Sequence, residues 1–219
     1  MISLLLLLSC FLIGIAVNAY VTKVFREYSS IRSSLGLKGR DIADSFLKEI
    51  NAKDVKINAI GGWLTDHYNP KNKTVNLSYF TYFSDSITAI SAAAHEVGHV
   101  EQDKEGNFFF RTRSFIFPFA SFGSKLAFPL IFLGFILGYF RLIEIGAYLY
   151  SFVVLFHLVT LPVEFDASRR AERFLGRLVS KNELKMIRKV LNAAALTYVA
   201  TTVIALLQLL RFLLLARRK

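Results

Sequence analysis

Residues 145–172 read IGAYLYSFVVLFHLVTLPVEFDASRRAE, and the change of character at position 164 decides the fold. The run Ile145–Val163 carries no formal charge, and a glutamate, an aspartate and paired arginines follow it at once. A helix needs about 20 predominantly apolar residues to cross a hydrocarbon core of about 30 Å. This run is therefore expected to span a bilayer, with Glu164 where the chain emerges.

Working outward, the same test selects two more uncharged runs, Ile2–Thr22 and Val190–Leu210. A fourth, Ser114–Phe140, is interrupted only by Lys125 and contains Pro118 and Pro129. Its span is expected over Leu126–Phe140, after an interfacial stretch in which Lys125 extends its ammonium toward water. Four such runs in 219 residues, with 54% hydrophobic residues and a mean hydropathy of +0.44, exclude an ordinary soluble domain.

The first run is expected to be an uncleaved anchor. No Lys or Arg precedes Lys23, as a secretory signal would require, and the apolar run continues well past LLSC at Leu7–Cys10. Cys10 is the single cysteine, which excludes an intrachain disulfide and a thiolate metal cluster. The net charge of +11 gathers at the ends of the apolar runs and forms no aromatic-interleaved basic face. Membrane orientation accounts for it, and nucleic acid is not an expected partner.

The expected organisation is an N-terminal transmembrane anchor (1–22), a catalytic region (23–113), a transmembrane hairpin (114–163), a helical segment (164–189) and a C-terminal transmembrane helix with a basic tail (190–219). Within 23–113, Ser29–Gly39 reads as a connector and Asp41–Glu49 as a helix. Val55–Ile60 alternates as a strand should. The turn Asn69–Asn72 precedes a second short strand, Thr74–Leu77, completing a hairpin before a helix at about Ser84–Asp103. Gly176 and Ser180 mark a break in the second polar block. The fold class is mainly α: about four transmembrane helices and a small α+β unit at the membrane surface.

The chemistry concentrates in residues 92–102, AAAHEVGHVEQ. On a helix His95 and His99 lie one turn apart on one face, so both imidazoles can reach one zinc ion. Glu96 lies about 100° further round. It is placed to take a proton from a zinc-activated water as general base in peptide hydrolysis. A catalytic zinc needs a third protein ligand. His67, Glu101, Asp103, Glu105, His157 and Glu164 are the candidates. Glu101 and Glu105 share the motif's helix and cannot easily wrap round to the metal, and His157 lies inside an apolar run. Glu164 is the best choice, because two spans separate it from His99 and return it to the same membrane side.

GWLTDHYNPKNKTVNLS (62–78), AAAHEVGHVEQ and LPVEFDASRRAERFL (161–175) together resemble the YugP-type bacterial neutral zinc metallopeptidases, over about residues 30–190. The resemblance implies one zinc ion per chain held by His95, His99 and Glu164, with Glu96 as catalytic base. More distantly the layout is similar to the HtpX and CAAX-prenyl membrane proteases. Those usually carry an aspartate four residues beyond the glutamate; here that residue is Ser168, and Asp166 falls on another face.

The expected function is a membrane-bound metalloendopeptidase acting on membrane or membrane-proximal proteins and peptides. Charges directly after the motif argue against intramembrane cleavage. A scaffold or chaperone with a structural metal would have no need of Glu96. His67 and Tyr68 are candidate donors to an oxyanion, and Gly61–Leu64 or Thr74–Ser78 candidate strands for holding substrate. Of the 27 Lys and Arg residues, 21 lie in 23–113 and 169–189, which predicts a cytoplasmic catalytic face.

Overall fold

The four apolar runs all become parts of long helices. The computed structural model describes residues 2–217, which begin with α1 (Ile2–Ser29) and α2 (Gly39–Glu49). Strands β1 (Lys56–Ile60), β2 (His67–Asn69) and β3 (Thr74–Ser78) follow, then the short α3 (Tyr79–Phe83) and α4 (Ile87–Glu105). The chain ends with α5 (Phe108–Leu137), α6 (Phe140–Leu175) and α7 (Lys181–Ala216). Helices α1, α5, α6 and α7 are each long and apolar enough to cross a membrane. The protein is a mainly α membrane protein with a small α+β part.

Two units divide these elements: Met1–Ala19, Phe108–Pro162 and Leu196–Lys219 in the first, Tyr20–Asn107 and Val163–Ala195 in the second. In the first unit α5 is helical from Phe108 and runs through both prolines, longer than the span expected over Leu126–Phe140. Each proline removes one backbone donor, and the apolar residues beyond it still favour helix, the form that satisfies backbone groups away from water. Helices α5 and α6 turn at Gly138, whose φ of +64° favours glycine. They touch closely at Gly123 and Gly146: a Cβ at these positions would lie 2.4 Å from the Leu149 carbonyl oxygen and 2.6 Å from the Ile131 side chain. Small residues permit such backbone approach where lipid supplies no hydrophobic drive. Ala127, Ile131, Ile143, Ala147 and Tyr150 join Ala205 and Phe212 of α7 in one apolar core.

In the second unit the sheet order is β1-β3-β2, with β1 parallel and β2 antiparallel to β3. The expected hairpin is corrected in one respect. Its Asn-Pro-Lys-Asn turn joins β3 to β2, and β1 reaches β3 as a parallel neighbour. β2 is too short, at three residues, to show the alternation that reveals a strand. The apolar faces of α2 and α4 close over the sheet, burying Ile42, Phe46, Val75, Leu77, Ile90 and Val97. Phe46 stacks on Phe174 of α6, with ring centroids 4.3 Å apart.

Candidate metal centre

Helix α4 is the frame of the site. The Ser86 side chain accepts from the Ala89 backbone N–H at its start, and Gly106, with φ of +66°, ends it. Between these caps Ala93, Ala94 and Val97 are fully buried, which fixes the helix's rotation and turns His95 and His99 to a common side. Gly98 allows the next step. A Cβ there would lie 2.7 Å from the Ala167 carbonyl oxygen, so α4 and the C-terminal part of α6 meet backbone to backbone.

That close approach brings Glu164 to the histidines. Its Oε2 lies 3.2 Å from His95 Nε2 and 3.6 Å from His99 Nε2. The donor atoms of His95, His99 and Glu164 all lie within 4.8 Å of one another, and no other group of three His, Cys, Asp or Glu among the described residues does so. A tetrahedral zinc ion with bonds of about 2.0–2.1 Å separates its ligand atoms by about 3.3–3.4 Å. Two imidazoles and one carboxylate at this spacing fit zinc and leave a fourth position open.

The opposite ring nitrogens are held as well. Gln102 is fully buried, and its Nε2 donates to the Val163 carbonyl and to Asp166 Oδ2, both at 2.8 Å. Those two acceptors fix which end of the amide is nitrogen. Gln102 Oε1 therefore accepts from His99 Nδ1 at 2.9 Å, which puts the proton on Nδ1 and the lone pair on Nε2, the nitrogen that faces Glu164. Asp166 Oδ2 also accepts from Arg170 Nε at 2.8 Å, and Arg170 pairs with Glu101 and Glu105. On His95, Nδ1 lies 3.2 Å from Ser168 Oγ, so the serine hydroxyl of α6 meets the imidazole on the side away from Glu164.

Glu96 is buried beside the cluster. Burial pushes its carboxyl up to about 7; His95 and a backbone hydrogen bond with Tyr68 oppose the shift, while Asp66 and Glu164 add to it. The Tyr68 contact sets β2, an edge strand, next to this carboxylate.

The other candidate ligands are engaged elsewhere. Glu101 and Glu105 serve Arg170, and Asp103 accepts from the Tyr68 hydroxyl at 2.8 Å and from Lys73 at 3.1 Å. His67 is exposed, with Nδ1 2.8 Å from the Thr65 carbonyl and Nε2 3.3 Å from Asn76. The Tyr68 hydroxyl therefore points to Asp103, and neither it nor His67 belongs to the cluster. His157 lies in the first unit, its ring edge against Phe156. Sequence reasoning gave no role to Gln102 or Arg170, and noted Ser168 only as the residue four beyond Glu164. The signal for Gln102 and Arg170 was helical spacing, three residues after His99 and four after Asp166.

Comparison with known proteins agrees with this chemistry. The family described as "Putative neutral zinc metallopeptidase" matches residues 3–217. A protein of Bacillus subtilis (strain 168) named "Putative membrane protease YugP" is 44% identical over 193 residues, covering 87% of this chain and 85% of that protein. No solved structure matches.

Proposed function

The chain belongs to the neutral zinc metallopeptidase family, and from that premise we propose a multi-pass membrane endopeptidase that holds one zinc ion through His95, His99 and Glu164 and uses Glu96 as general base. The observation that carries this reading is the convergence of both motif histidines on Glu164 at the donor spacing of tetrahedral zinc. When bound, zinc supplies Lewis acidity toward water and the scissile carbonyl. Gln102 and Ser168 hold the imidazoles with Nε2 toward the ion. Glu96 takes the proton from the attacking water and passes it to the leaving amine. A carboxyl with a pKa near 7 suits that task at neutral pH, and the charge of a nearby cation favours its ionised form.

β2 is the edge strand of the sheet, where an extended peptide can align, and the backbone contact of Tyr68 with Glu96 supports substrate binding beside that carboxyl. Substrates are membrane or membrane-proximal proteins, a reading supported by the four helices long and apolar enough to cross a membrane. The excess of Lys and Arg in 23–113 and 169–189 supports a site on the cytoplasmic face.

Metal content and hydrolysis of a quenched peptide, measured on purified variants, test the assignment. Glu96→Gln should keep stoichiometric zinc and lose about 10²-fold or more in rate, since an amide takes no proton at neutral pH. Glu164→Ala should lose zinc, and His157→Ala should retain it. A site emptied by His157→Ala and full in Glu164→Ala would move the third ligand into the first unit. Full hydrolysis by Glu96→Gln would remove the general base.

A further inference from the structure

One end of the first unit is formed by the start of α1, the end of α5, the start of α6 and the end of α7. A cavity of about 500 Å³ lies among these four helix ends. That size falls within the range of small-molecule sites, about 300–1,000 Å³. Its walls are apolar and aromatic, with Leu7, Phe128, Ile131, Phe135 and Phe212 among them, and its polar lining is Ser3, Gln208 and Arg211.

Arg211 is the unusual member. Its Nε donates to Ser3 Oγ at 3.2 Å. Among the described residues no carboxylate pairs with it. The first unit contains a single carboxylate side chain, Glu144, and that group accepts from the Tyr148 hydroxyl at 3.3 Å. A guanidinium beside an apolar groove, in a unit so poor in acids, calls for an anion from outside the unit. The ligand must also fill an apolar cavity that opens at the ends of membrane-spanning helices.

We propose that this cavity binds one anionic phospholipid of the phosphatidylglycerol kind. Its phosphate accepts from Arg211, Gln208 and Ser3, and one acyl chain lies along Phe128, Ile131 and Phe212. A basic group between the ends of spanning helices suits such a headgroup, and charge-assisted hydrogen bonds from a planar guanidinium suit phosphate. A zwitterionic lipid brings its own ammonium to the same phosphate and gains less from Arg211.

The full chain, purified in mild detergent and stripped of lipid, is titrated with phosphatidylglycerol or phosphatidylcholine and followed by native mass spectrometry. Saturable one-to-one binding is expected, tighter for phosphatidylglycerol. Arg211→Gln should weaken it by about tenfold or more, the usual value of a hydrogen bond to a charged group. Arg211→Lys should retain most of the binding. Leu7→Trp, which fills the groove and leaves the cation, should weaken it too, and Arg141→Gln, an exposed arginine outside the cavity, should not. Thermal unfolding of each variant checks that it folds. Equal affinity for both lipids, equal binding by wild type and Arg211→Gln, or loss in Arg141→Gln as large as in Arg211→Gln would overturn the proposal. Inorganic phosphate alone binding as tightly as lipid would overturn the acyl-chain part.

Discussion

Gly98→Ala asks whether the closeness of α4 and α6 is what assembles the metal centre. At an exposed helix position this change stabilises by about 1 kcal/mol, because alanine is the better helix former. Here the added Cβ would stand 2.7 Å from the Ala167 carbonyl oxygen and 3.2 Å from the Ala167 Cα. Both are backbone atoms, which cannot rotate away. Ordinary contact begins near 3.4 Å, so the helices must part by about 0.7 Å. Glu164 lies one turn before Ala167 on the same helix, and a shift of that size would carry it beyond its present 3.2 Å and 3.6 Å from the histidines. Zinc bonds tolerate only about 0.2 Å. Two effects should follow: a destabilisation of about 1–3 kcal/mol, typical of overpacking, and zinc affinity lower by about tenfold or more. Gly61→Ala is the control, since a Cβ at Gly61 meets nothing within 4 Å. Thermal unfolding and zinc retention against a graded chelator read both effects. A Gly98→Ala protein as stable as wild type with unchanged zinc affinity would refute this account of the site's assembly.

Three further outcomes follow from the same geometry. Gln102→Leu removes the acceptor of His99 Nδ1 and the donor to Val163 and Asp166 in a fully buried position; it should cost about 1–3 kcal/mol and lower zinc affinity about 10–100-fold, checked by unfolding and competition titration. In metal-free protein the Glu96 pKa is raised from 4.5 to about 7, so the folded state holds its proton more tightly than the unfolded chain and loses stability as pH climbs between those values. Glu96→Gln should therefore be more stable than metal-free wild type at pH 7.5, by up to about 3 kcal/mol, with the difference gone near pH 4.5 in matched melts. An orientation with the site inside predicts that Lys104→Cys resists an impermeant thiol reagent applied to intact cells and reacts once membranes are opened; efficient labelling from outside would reverse the topology.

How legible all this was depends on how local each signal is. The apolar runs and the histidine-glutamate motif are contiguous, so length and periodicity alone found α1, α6, α7 and α4. Glu164 was reachable because a hairpin of two spans restricts where the chain can return. β2 was not, since three residues carry no periodicity and its strand character comes from pairing with β3. The parallel placement of β1 is likewise a matter of tertiary neighbours. Ser168 and Gln102 illustrate a different limit. Each lies at helical spacing from a candidate ligand, but whether a serine or an amide reaches an imidazole depends on the distance between α4 and α6. Gly98 sets that distance, and in the sequence it is only an uncharged residue between two histidines. Asp166 faces away from the imidazoles, as its position on the helix requires, yet it bears on His99 through Gln102 and on Arg170 directly. A helical wheel excludes direct contact for such a residue but cannot reveal contact through an intermediary on another helix. The site is therefore best understood as one backbone approach at Gly98 that lets several ordinary polar side chains act together.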